Sequence, residues 1–353
     1  MMTGPDALQD RLDGFPRVRL GHFPTPLEKM ERLAGHLSEE LGGPVPSLWV
    51  KRDDCTGVAT GGNKVRQLEY SFGAAKAAGA DTAVITGAVQ SNYMRTAAAF
   101  AARLGMEAHV QLENRVEGMG EEYHKSGNVL LDRMFGAHMH HFPLGEDEKA
   151  ADANLNSIAA RLKRNGKNPY LFTLSADTKP LTSLGYMQCA IELLQQASEG
   201  GMQFDAVVVP SGSAATHVGT LLGLRLAGYT TPVHGICVRR DAKSQTERVL
   251  SITRLAEDML GCGETVPESD VQCHDDWFGP SYGRLVESTF EAIELAGRLE
   301  ALIVDPLYTA KSLAGLIGLT RVGAFEGMGN VLYIHTGGLP GVFAYRSALY
   351  PDG

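Results

Sequence analysis

A lysine follows a glycine-rich turn in this sequence and begins a predicted helix. The turn is Gly61-Gly62-Asn63, and the lysine is Lys64. An ammonium group at the amino end of a helix lies in the positive end of the helix dipole, which lowers its pKa. A neutral lysine is a nucleophile toward an aldehyde and can form a Schiff base with it. The spacing alone leaves open the alternative that Lys64 is a solvated residue in the first helical turn.

A second polar cluster, Gln90-Ser91-Asn92, follows a predicted strand and precedes a helix that starts near Tyr93. The backbone amides of Ser91 and Asn92 would point at an anion from the amino end of that helix. This arrangement suits the binding of a carboxylate and proton transfer near the α-carbon of an amino acid. The alternative for Ser91 is a helix N-cap.

A third cluster, Ser211-Gly212-Ser213-Ala214-Ala215-Thr216, also lies between a strand and a helix. Small residues let several backbone N–H groups converge on one dianion, and the hydroxyls add donors. The cluster lacks the lysine of a P-loop and the spacing of a dinucleotide fingerprint, so it favours a monophosphate. The alternative is a small-residue turn that packs a helix on a strand.

A fourth cluster, His335-Thr336-Gly337-Gly338, ends a predicted strand. The hydroxyl of Thr336 could face a ring nitrogen, although it would hold a pyridinium proton less firmly than an aspartate. Such a partner suits elimination chemistry, which needs only partial electron withdrawal by the ring. Taken alone, the cluster fits a simple turn at the end of a strand equally well. Together, the four clusters supply the amine, phosphate cup, carboxylate site and ring-nitrogen partner that pyridoxal 5'-phosphate (PLP) needs.

Strand, glycine turn and helix alternate along the chain. The strands are predicted over 47–51, 82–86, 107–112, 138–142, 170–174, 206–209, 233–238 and 330–335, and the helices over 64–78, 93–104, 183–197, 216–227, 285–298 and 310–322. This alternation predicts a doubly wound α/β protein with ligands at the carboxyl ends of parallel strands. The length fits two such sheets better than one.

Composition excludes several classes of protein. The 353 residues carry 32 Lys and Arg against 41 Asp and Glu, a formal net charge of −9, which disfavours nucleic-acid binding. The apolar runs are too short to span a membrane. The segment 1–19 lacks the apolar core of a signal peptide, and the five cysteines show no C-x-x-C pair. We therefore expect a cytoplasmic protein with reduced cysteines.

The chain resembles the 1-aminocyclopropane-1-carboxylate (ACC) deaminase/D-cysteine desulfhydrase family, which has the tryptophan-synthase-β-like PLP fold (fold type II). The resemblance runs from 23 to 343. Its motifs, in order, are Phe23-Pro24-Thr25-Pro26-Leu27, Lys51-Arg52-Asp53-Asp54, Gly61-Gly62-Asn63-Lys64, Gln90-Ser91-Asn92, Leu184-Gly185-Tyr186, Tyr282-Gly283, Asp305-Pro306-Leu307-Tyr308-Thr309 and His335-Thr336-Gly337-Gly338.

The resemblance implies two open-sheet domains with the active site between them. We expect a larger PLP-binding domain of 1–58 plus 180–353, a smaller α/β domain of 59–179, and a homodimer.

The resemblance also implies a role for each site residue. Lys64 would form the Schiff base and remove the α-proton, and Asn92 would bind the ring hydroxyl of the cofactor. The phosphate loop would be 211–216, with Thr336 opposite the ring nitrogen. On the substrate side we expect Ser91, Asn92, Tyr93, Tyr282 and Tyr308, with the last two tyrosines orienting or protonating the leaving group.

Within the family, the chain looks most like the L-cysteate sulfo-lyases, through Arg52-Asp53-Asp54-Cys55-Thr56-Gly57 and Asn128-Val129-Leu130-Leu131-Asp132. ACC deaminases have a glutamate where this chain has Thr309. We therefore expect a carbon–sulfur lyase that releases sulfite from L-cysteate, yielding pyruvate and ammonia. The alternatives are a D-cysteine desulfhydrase, an ACC deaminase or related lyase, and a non-catalytic amino-acid-binding protein.

Three positions depart from the family pattern. They are Tyr93 after the Gln-Ser-Asn motif, Leu174-Ser175-Ala176-Asp177-Thr178 in place of a Gly-Gly-Ser-Asn loop, and Ala215 in the phosphate loop. A carboxylate at Asp177 would repel an anionic substrate unless a cation compensates, so the substrate could differ from those known for the family.

Two histidines, His138 and His140, fall on one face of a predicted strand. No carboxylate or cysteine neighbours them in the sequence at metal-ligand spacing. We therefore expect a solvated pair on an edge strand and no metal site.

Overall fold

The computed structural model describes residues 4–145, 147–173 and 175–350, which form two parallel sheets surrounded by helices. The larger sheet has the order β1-β2-β10-β7-β8-β9, and only β1 runs antiparallel to its neighbour. The smaller sheet, β5-β4-β3-β6, is entirely parallel. The strands are β1 (Leu27–Lys29), β2 (Ser47–Arg52), β3 (Thr82–Ala88), β4 (Glu107–Glu113), β5 (His138–Phe142), β6 (Pro169–Phe172), β7 (Ala206–Ser211), β8 (Val233–Cys237), β9 (Val271–His274) and β10 (Asn330–His335).

Two central strands, β3 and β7, are buried along their whole length because helices cover both faces of each sheet. The helices are α1 (Pro5–Asp13), α2 (Glu31–Leu41), α3 (Lys64–Ala77), α4 (Asn92–Leu104), α5 (Glu121–Lys125), α6 (Gly127–Met134), α7 (Glu148–Arg164), α8 (Lys179–Glu199), α9 (Ala215–Leu226), α10 (Ala242–Leu260), α11 (Glu287–Glu300), α12 (Thr309–Arg321), α13 (Leu339–Ala344) and α14 (Arg346–Leu349).

The expected fold class is confirmed: the chain is α/β with two open, mostly parallel sheets. Sequence reasoning missed the short edge strands β1 and β9, and the helices α1, α2, α5, α6, α7, α10, α13 and α14. It also began α8 at Ser183, whereas the helix starts at Lys179, because Pro180 is tolerated in a first turn. The predicted strand over 170–174 ends at Phe172, and Leu174 lies outside the described residues.

The two sheets occupy different parts of the chain. All strands of the smaller sheet fall within 82–172, inside the proposed smaller domain, and the larger sheet uses 27–52 and 206–335. Ala344 and Tyr345, placed in the larger domain by the prediction, pack in the hydrophobic cluster around the smaller sheet. The domain boundaries stay a prediction, and their outer ends, 1 and 353, lie outside the described residues.

In the larger sheet, β10 lies between β2 and β7. The segments that follow these three parallel strands therefore meet at one edge of the sheet. Those segments begin at Asp53, Gly212 and Thr336. Among the described helices, none is both long enough and apolar enough to cross a membrane.

A buried ion-pair network fixes α3 against the larger sheet. The carboxylate of Asp53, after β2, accepts hydrogen bonds from Arg66 Nε and Nη2, both at 2.8 Å, and from the Tyr186 hydroxyl at 2.6 Å. Arg66 also pairs with Glu192 of α8 at 2.9 Å, and Lys51 reaches the same carboxylate at 2.5 Å. The Arg66 and Lys51 charges and the Tyr186 hydrogen bond together lower the pKa of Asp53 against the opposing effect of its burial. The network thus joins β2, α3 and α8.

Replacing Asp53 tests this network. Asp53→Ala leaves the Arg66 guanidinium buried with half of its partners, so the free energy of unfolding should fall by about 3 kcal/mol or more. Asp54→Ala is the matched control, since Asp54 is partly exposed and pairs with Arg52 near the surface; it should cost less than about 1 kcal/mol. Urea unfolding followed by circular dichroism measures both. Equal losses in the two variants would contradict a structural role for the network.

Candidate active site

Two adjoining cavities lie where the two sheets face each other. Their empty volumes are about 420 Å³ and about 700 Å³. The first is lined by Asn63, Lys64, Asn92, Pro210, Gly212, Ser213, Ala214, Thr216, Tyr308, Thr336 and Gly337. The second is lined by Lys64, Gln67, Gly87, Ala88, Ser91, Asn92, Tyr93, Arg115, Lys179, Thr182, Gly212, Ser213, Arg239, Tyr282 and Tyr308. Lys64 lines both, so its amine stands between a region at the glycine-rich loop and a region at the smaller sheet.

Lys64 is the first residue of α3, as the sequence predicts. Its side chain is half-buried, and Nζ donates a hydrogen bond of 3.3 Å to Gln67 Oε1. Burial lowers the pKa of Lys64 to about 8. The lowered pKa leaves an appreciable neutral fraction of the amine near physiological pH, and a neutral amine is needed for attack on an aldehyde.

The loop over 211–216 connects β7 to α9 and is shaped to hold an anion. Ala214 has a left-handed backbone (φ 78°) and stands at the amino end of the twelve-residue α9. Gly212, Ser213, Ala214 and Thr216 line the first cavity. Ala215 is buried behind them.

Ser211 is also turned away from the cavity. Its hydroxyl bonds to His217 Nδ1 at 3.1 Å and to Gln245 Nε2 at 2.9 Å. Two guanidinium groups brace the loop from outside: Arg240 donates to the Gly212 carbonyl at 3.1 Å, and Arg248 donates to the Ser213 carbonyl at 3.4 Å. A helix amino end with small residues and two nearby cations fits a phosphate dianion.

Thr216 connects this loop to the lysine helix. Its Oγ1 accepts hydrogen bonds of 3.0 Å from Asn63 Nδ2 and from Gln67 Nε2, which flank Lys64 in the sequence. The amine and the anion-binding loop therefore stand at a fixed separation in one cavity.

Asn92 presents its amide to the cavities in a defined orientation. Its Oδ1 accepts from Arg95 Nη1 at 3.0 Å and from Asn128 Nδ2 at 3.1 Å. With Oδ1 occupied, Nδ2 is the group left to donate to an oxygen in the cavity, which fits the ring hydroxyl of PLP. Sequence reasoning missed Arg95. The signal that could have found it is an arginine one turn after Asn92 in an otherwise alanine-rich helix. Arg95 is fully buried, and a charged side chain is almost never fully buried without a partner.

Ser91 lies in a position compatible with both of the roles considered from the sequence. It is the N-cap of α4, and its Oγ accepts from Met94 N at 3.3 Å. It also lines the second cavity beside Gly87, where a side chain would collide with the serine.

Two tyrosines meet on the substrate side. The hydroxyls of Tyr282 and Tyr308 are 2.6 Å apart, and both residues line the second cavity. Burial raises the pKa of both phenols, so each keeps its proton at neutral pH. The pair can therefore donate a proton or a hydrogen bond to a group leaving from a substrate.

Thr336 lines the first cavity at the end of β10, whereas Thr309 lines neither cavity. The Thr309 hydroxyl is bonded instead to the buried carboxylate of Asp305, at 2.7 Å. Burial raises the pKa of Asp305 to about 6. Of the two threonines, Thr336 is therefore the one placed to face a ring nitrogen.

The departures from the family pattern have different consequences. Tyr93 lines the second cavity, and the ammonium of Lys179 lies 5.8 Å from the centroid of its ring. Asp177 is exposed and lines neither cavity, so the expected repulsion of an anionic substrate does not arise from the cavity wall. Leu174 lies outside the described residues.

Comparisons with known proteins agree with this geometry. Residues 18–337 match the family model described as "Pyridoxal-phosphate dependent enzyme". The chain is 38% identical to the D-cysteine desulfhydrase of Serratia proteamaculans and 39% identical to that of Yersinia enterocolitica, in each case over 96% of this chain and 98% of the relative.

Solved structures show the same relationship. A crystal structure of an ACC deaminase homologue superposes with a TM-score of 0.85 at 32% identity and covers 99% of both chains. The diaminopropionate ammonia lyase of Escherichia coli shares the fold, with a TM-score of 0.63 at 17% identity over 98% of this chain and 92% of that one.

Replacing Lys64 tests the central residue of this site. Lys64→Ala should abolish the visible absorbance of protein-bound PLP and reduce turnover by about 10³-fold or more, because both the attachment point and the base are lost. Lys76→Ala is the matched control, since Lys76 is an exposed lysine of the same helix. Spectra and turnover are recorded on the PLP-saturated proteins. A Lys64→Ala protein with wild-type absorbance and rate would remove Lys64 from this role.

Proposed function

Because the chain belongs to the ACC deaminase/D-cysteine desulfhydrase family of pyridoxal-phosphate-dependent enzymes, we propose that it eliminates an anionic sulfur group from the β-carbon of a small amino acid. The substrate class is that of L-cysteate, and the products are pyruvate, ammonia and sulfite. The enzyme is a PLP-dependent carbon–sulfur lyase; the sulfonate substrate is the proposed part.

One observation supports an anionic β-substituent. Among the described residues that line the two cavities, the charged side chains are all cations: Lys64, Arg115, Lys179 and Arg239. Lys64 serves the cofactor, the phosphate has its own loop, and the substrate carboxylate has the amides of Ser91 and Asn92. The other three cations, Arg115, Lys179 and Arg239, therefore provide more positive charge than a substrate with a neutral β-substituent needs.

The three cations are held in place by different contacts. Arg115 pairs with Glu113 at 2.6 Å, and Arg239 pairs with Glu148 at 2.7 Å; neither carboxylate lines a cavity. Lys179 donates to the Thr173 carbonyl at 3.0 Å. Burial, together with the positive charges of Arg248 and Lys64, lowers the pKa of Lys179 to about 7. An anion bound beside Lys179 would favour its protonated form.

Each group of side chains has a separate part in the proposed reaction. Bound PLP withdraws electrons from the substrate α-carbon. The amides of Ser91 and Asn92 bind the substrate carboxylate, and the neutral amine of Lys64 accepts the α-proton at Nζ. The hydroxyl pair of Tyr282 and Tyr308 faces the β-substituent and supplies a hydrogen bond or a proton as the carbon–sulfur bond breaks.

A second candidate is D-cysteine desulfhydration, which the similarity to D-cysteine desulfhydrases over 96% of the chain favours. Ring-opening of ACC is less well supported, because the residue after Tyr308 is a threonine whose hydroxyl is occupied by Asp305. The lowered pKa of Lys64 argues against a non-catalytic binding protein.

The assembly and location are part of the same proposal. We infer a homodimer in the cytoplasm with no nucleic-acid or membrane partner. The five cysteines are all free thiols in the structure, which fits a reducing compartment.

A product assay separates the candidate substrates. The PLP-saturated enzyme is incubated with L-cysteate, D-cysteine, L-cysteine or ACC, and pyruvate, 2-oxobutanoate, sulfite and sulfide are measured. We expect pyruvate and sulfite in equal amounts from L-cysteate, at a kcat/KM at least tenfold above that of any other substrate. Sulfide from D-cysteine without cysteate turnover would support the second candidate instead, and no product from any sulfur substrate would contradict elimination of a sulfur group.

Neutralising one cavity cation tests recognition of the sulfonate. Lys179→Met keeps the side-chain length and removes the charge, so KM for L-cysteate should rise about tenfold, while kcat/KM for D-cysteine changes less than threefold. Lys163→Met on the exposed face of α7 is the control. An equal change in the kinetic constants for both substrates would show that Lys179 does not recognise the β-substituent.

A further inference from the structure

Four polar side chains form a cluster on one face of the smaller sheet, far from the cavities. Glu107 and His109 lie on β4, and His138 and His140 lie on the edge strand β5. His109 and His138 are direct partners in the strand register. Because Glu107 is the first residue of β4, the cluster occupies the amino-terminal end of the sheet, whereas the cavities lie beyond its carboxyl end.

Three of these side chains converge on one point. Glu107 Oε1 is 3.0 Å from His109 Nε2 and 3.2 Å from His138 Nε2. The three ligand atoms all lie within 4.8 Å of one another. In a tetrahedral zinc site with bonds of about 2.0–2.1 Å, ligand atoms lie about 3.3 Å apart. The ligand atoms are therefore close enough for one ion, and the stacked rings of His109 and His138, with centroids 4.5 Å apart, would turn so that both lone pairs face it.

We propose that Glu107, His109 and His138 form a binding site for a divalent transition-metal ion of the zinc type. Two imidazole nitrogens and one carboxylate oxygen are ligands that such ions prefer, with a fourth position for water. The site is distinct from the PLP site and is not needed for the elimination reaction.

A fourth side chain orients one of the ligands. His140 Nε2 is 3.0 Å from His109 Nδ1. When His109 donates its Nδ1 proton to His140, its Nε2 presents a lone pair to the site. Metal-bound histidines are commonly held by a hydrogen bond on the other ring nitrogen. His140 is therefore a positioning residue.

The ligand atoms of the cluster and the charges around it determine which type of ion can bind there. Lys167 pairs with Glu107 Oε2 at 2.5 Å and leaves Oε1 to face the imidazoles. Arg161 of α7 lies near enough to affect His109 and His140 electrostatically. A single carboxylate disfavours Ca²⁺ or Mg²⁺, which need several oxygen ligands, whereas the two nearby cations weaken the binding of any divalent ion. Zinc, cobalt or nickel ions gain from the nitrogen ligands instead.

Sequence reasoning expected no metal because it sought the missing ligand beside His138 along the chain. The carboxylate comes instead from the neighbouring strand.

His138 is 56% exposed, so an ion can reach the cluster from solvent. A bound ion would join β5, the edge strand, to β4.

Metal titration of the PLP-saturated enzyme tests the proposal. Calorimetry with Zn²⁺, and absorbance with Co²⁺, should show one site per chain. His138→Ala and Glu107→Gln should each weaken this binding at least tenfold. His141→Ala is the matched control, since His141 is exposed on the same strand but points to the other face, and it should bind like the wild type.

The activity of the variants and the zinc binding that they retain decide whether these three residues form the metal site. Elimination activity should stay unchanged in His138→Ala, which shows that the variant is folded. Zinc binding that survives in both His138→Ala and Glu107→Gln belongs to other ligands, such as the exposed Cys55, and would overturn the proposal. The absence of any zinc or cobalt binding by the wild type up to millimolar metal would overturn it as well.

Discussion

The hydroxyl of Thr216 accepts hydrogen bonds from Asn63 and Gln67, and this contact sets the position of the reactive amine relative to the anion-binding loop. One side of the contact is the start of α9, which packs in the hydrophobic cluster of the larger sheet. The other side is the start of α3, whose apolar side chains pack in the cluster around the smaller sheet although its ion pairs tie it to the larger one. The ion pairs of Arg66 with Asp53 and Glu192 tie α3 to the end of β2 and to α8. The binding mode that we propose, with the phosphate of PLP at the loop over 211–216 and its aldehyde at Lys64, requires this rigid connection.

Charge is distributed to match a ligand with several negative groups. The loop over 211–216, the proposed phosphate site, lies at the amino end of α9, with Arg240 and Arg248 bonded to its carbonyls. The proposed substrate side is lined by side-chain cations, of which Lys179 is the most deeply buried and lies beside the Tyr93 ring. Tyr93, which departs from the family pattern, therefore supports a cation that a smaller or polar residue at this position would not.

The sequence predicted the parts of the site that are local in the chain. Lys64, Ser91 and Thr336 each follow or begin an element whose pattern is visible from nearby residues, so their positions at the ends of strands and helices could be inferred. The contact of Lys179 with Tyr93 could not be inferred, because it depends on the packing of α8 against α4. The contact of Arg95 with Asn92 lies within one turn of α4, but the complete burial of Arg95 depends on the elements packed around that helix. The same limit explains why the carboxylate near His138 was overlooked.

The strand order of the larger sheet also governs how the protein is made. The last strand in the chain, β10, occupies the middle of that sheet between β2 and β7, whereas the smaller sheet is complete once residue 172 has been synthesised. Until residues 330–335 leave the ribosome, β2 and β7 each present an unpaired edge to other nascent chains. We therefore expect the yield of native protein in a cell to depend on protection of these edges during translation as well as on the stability of the finished fold.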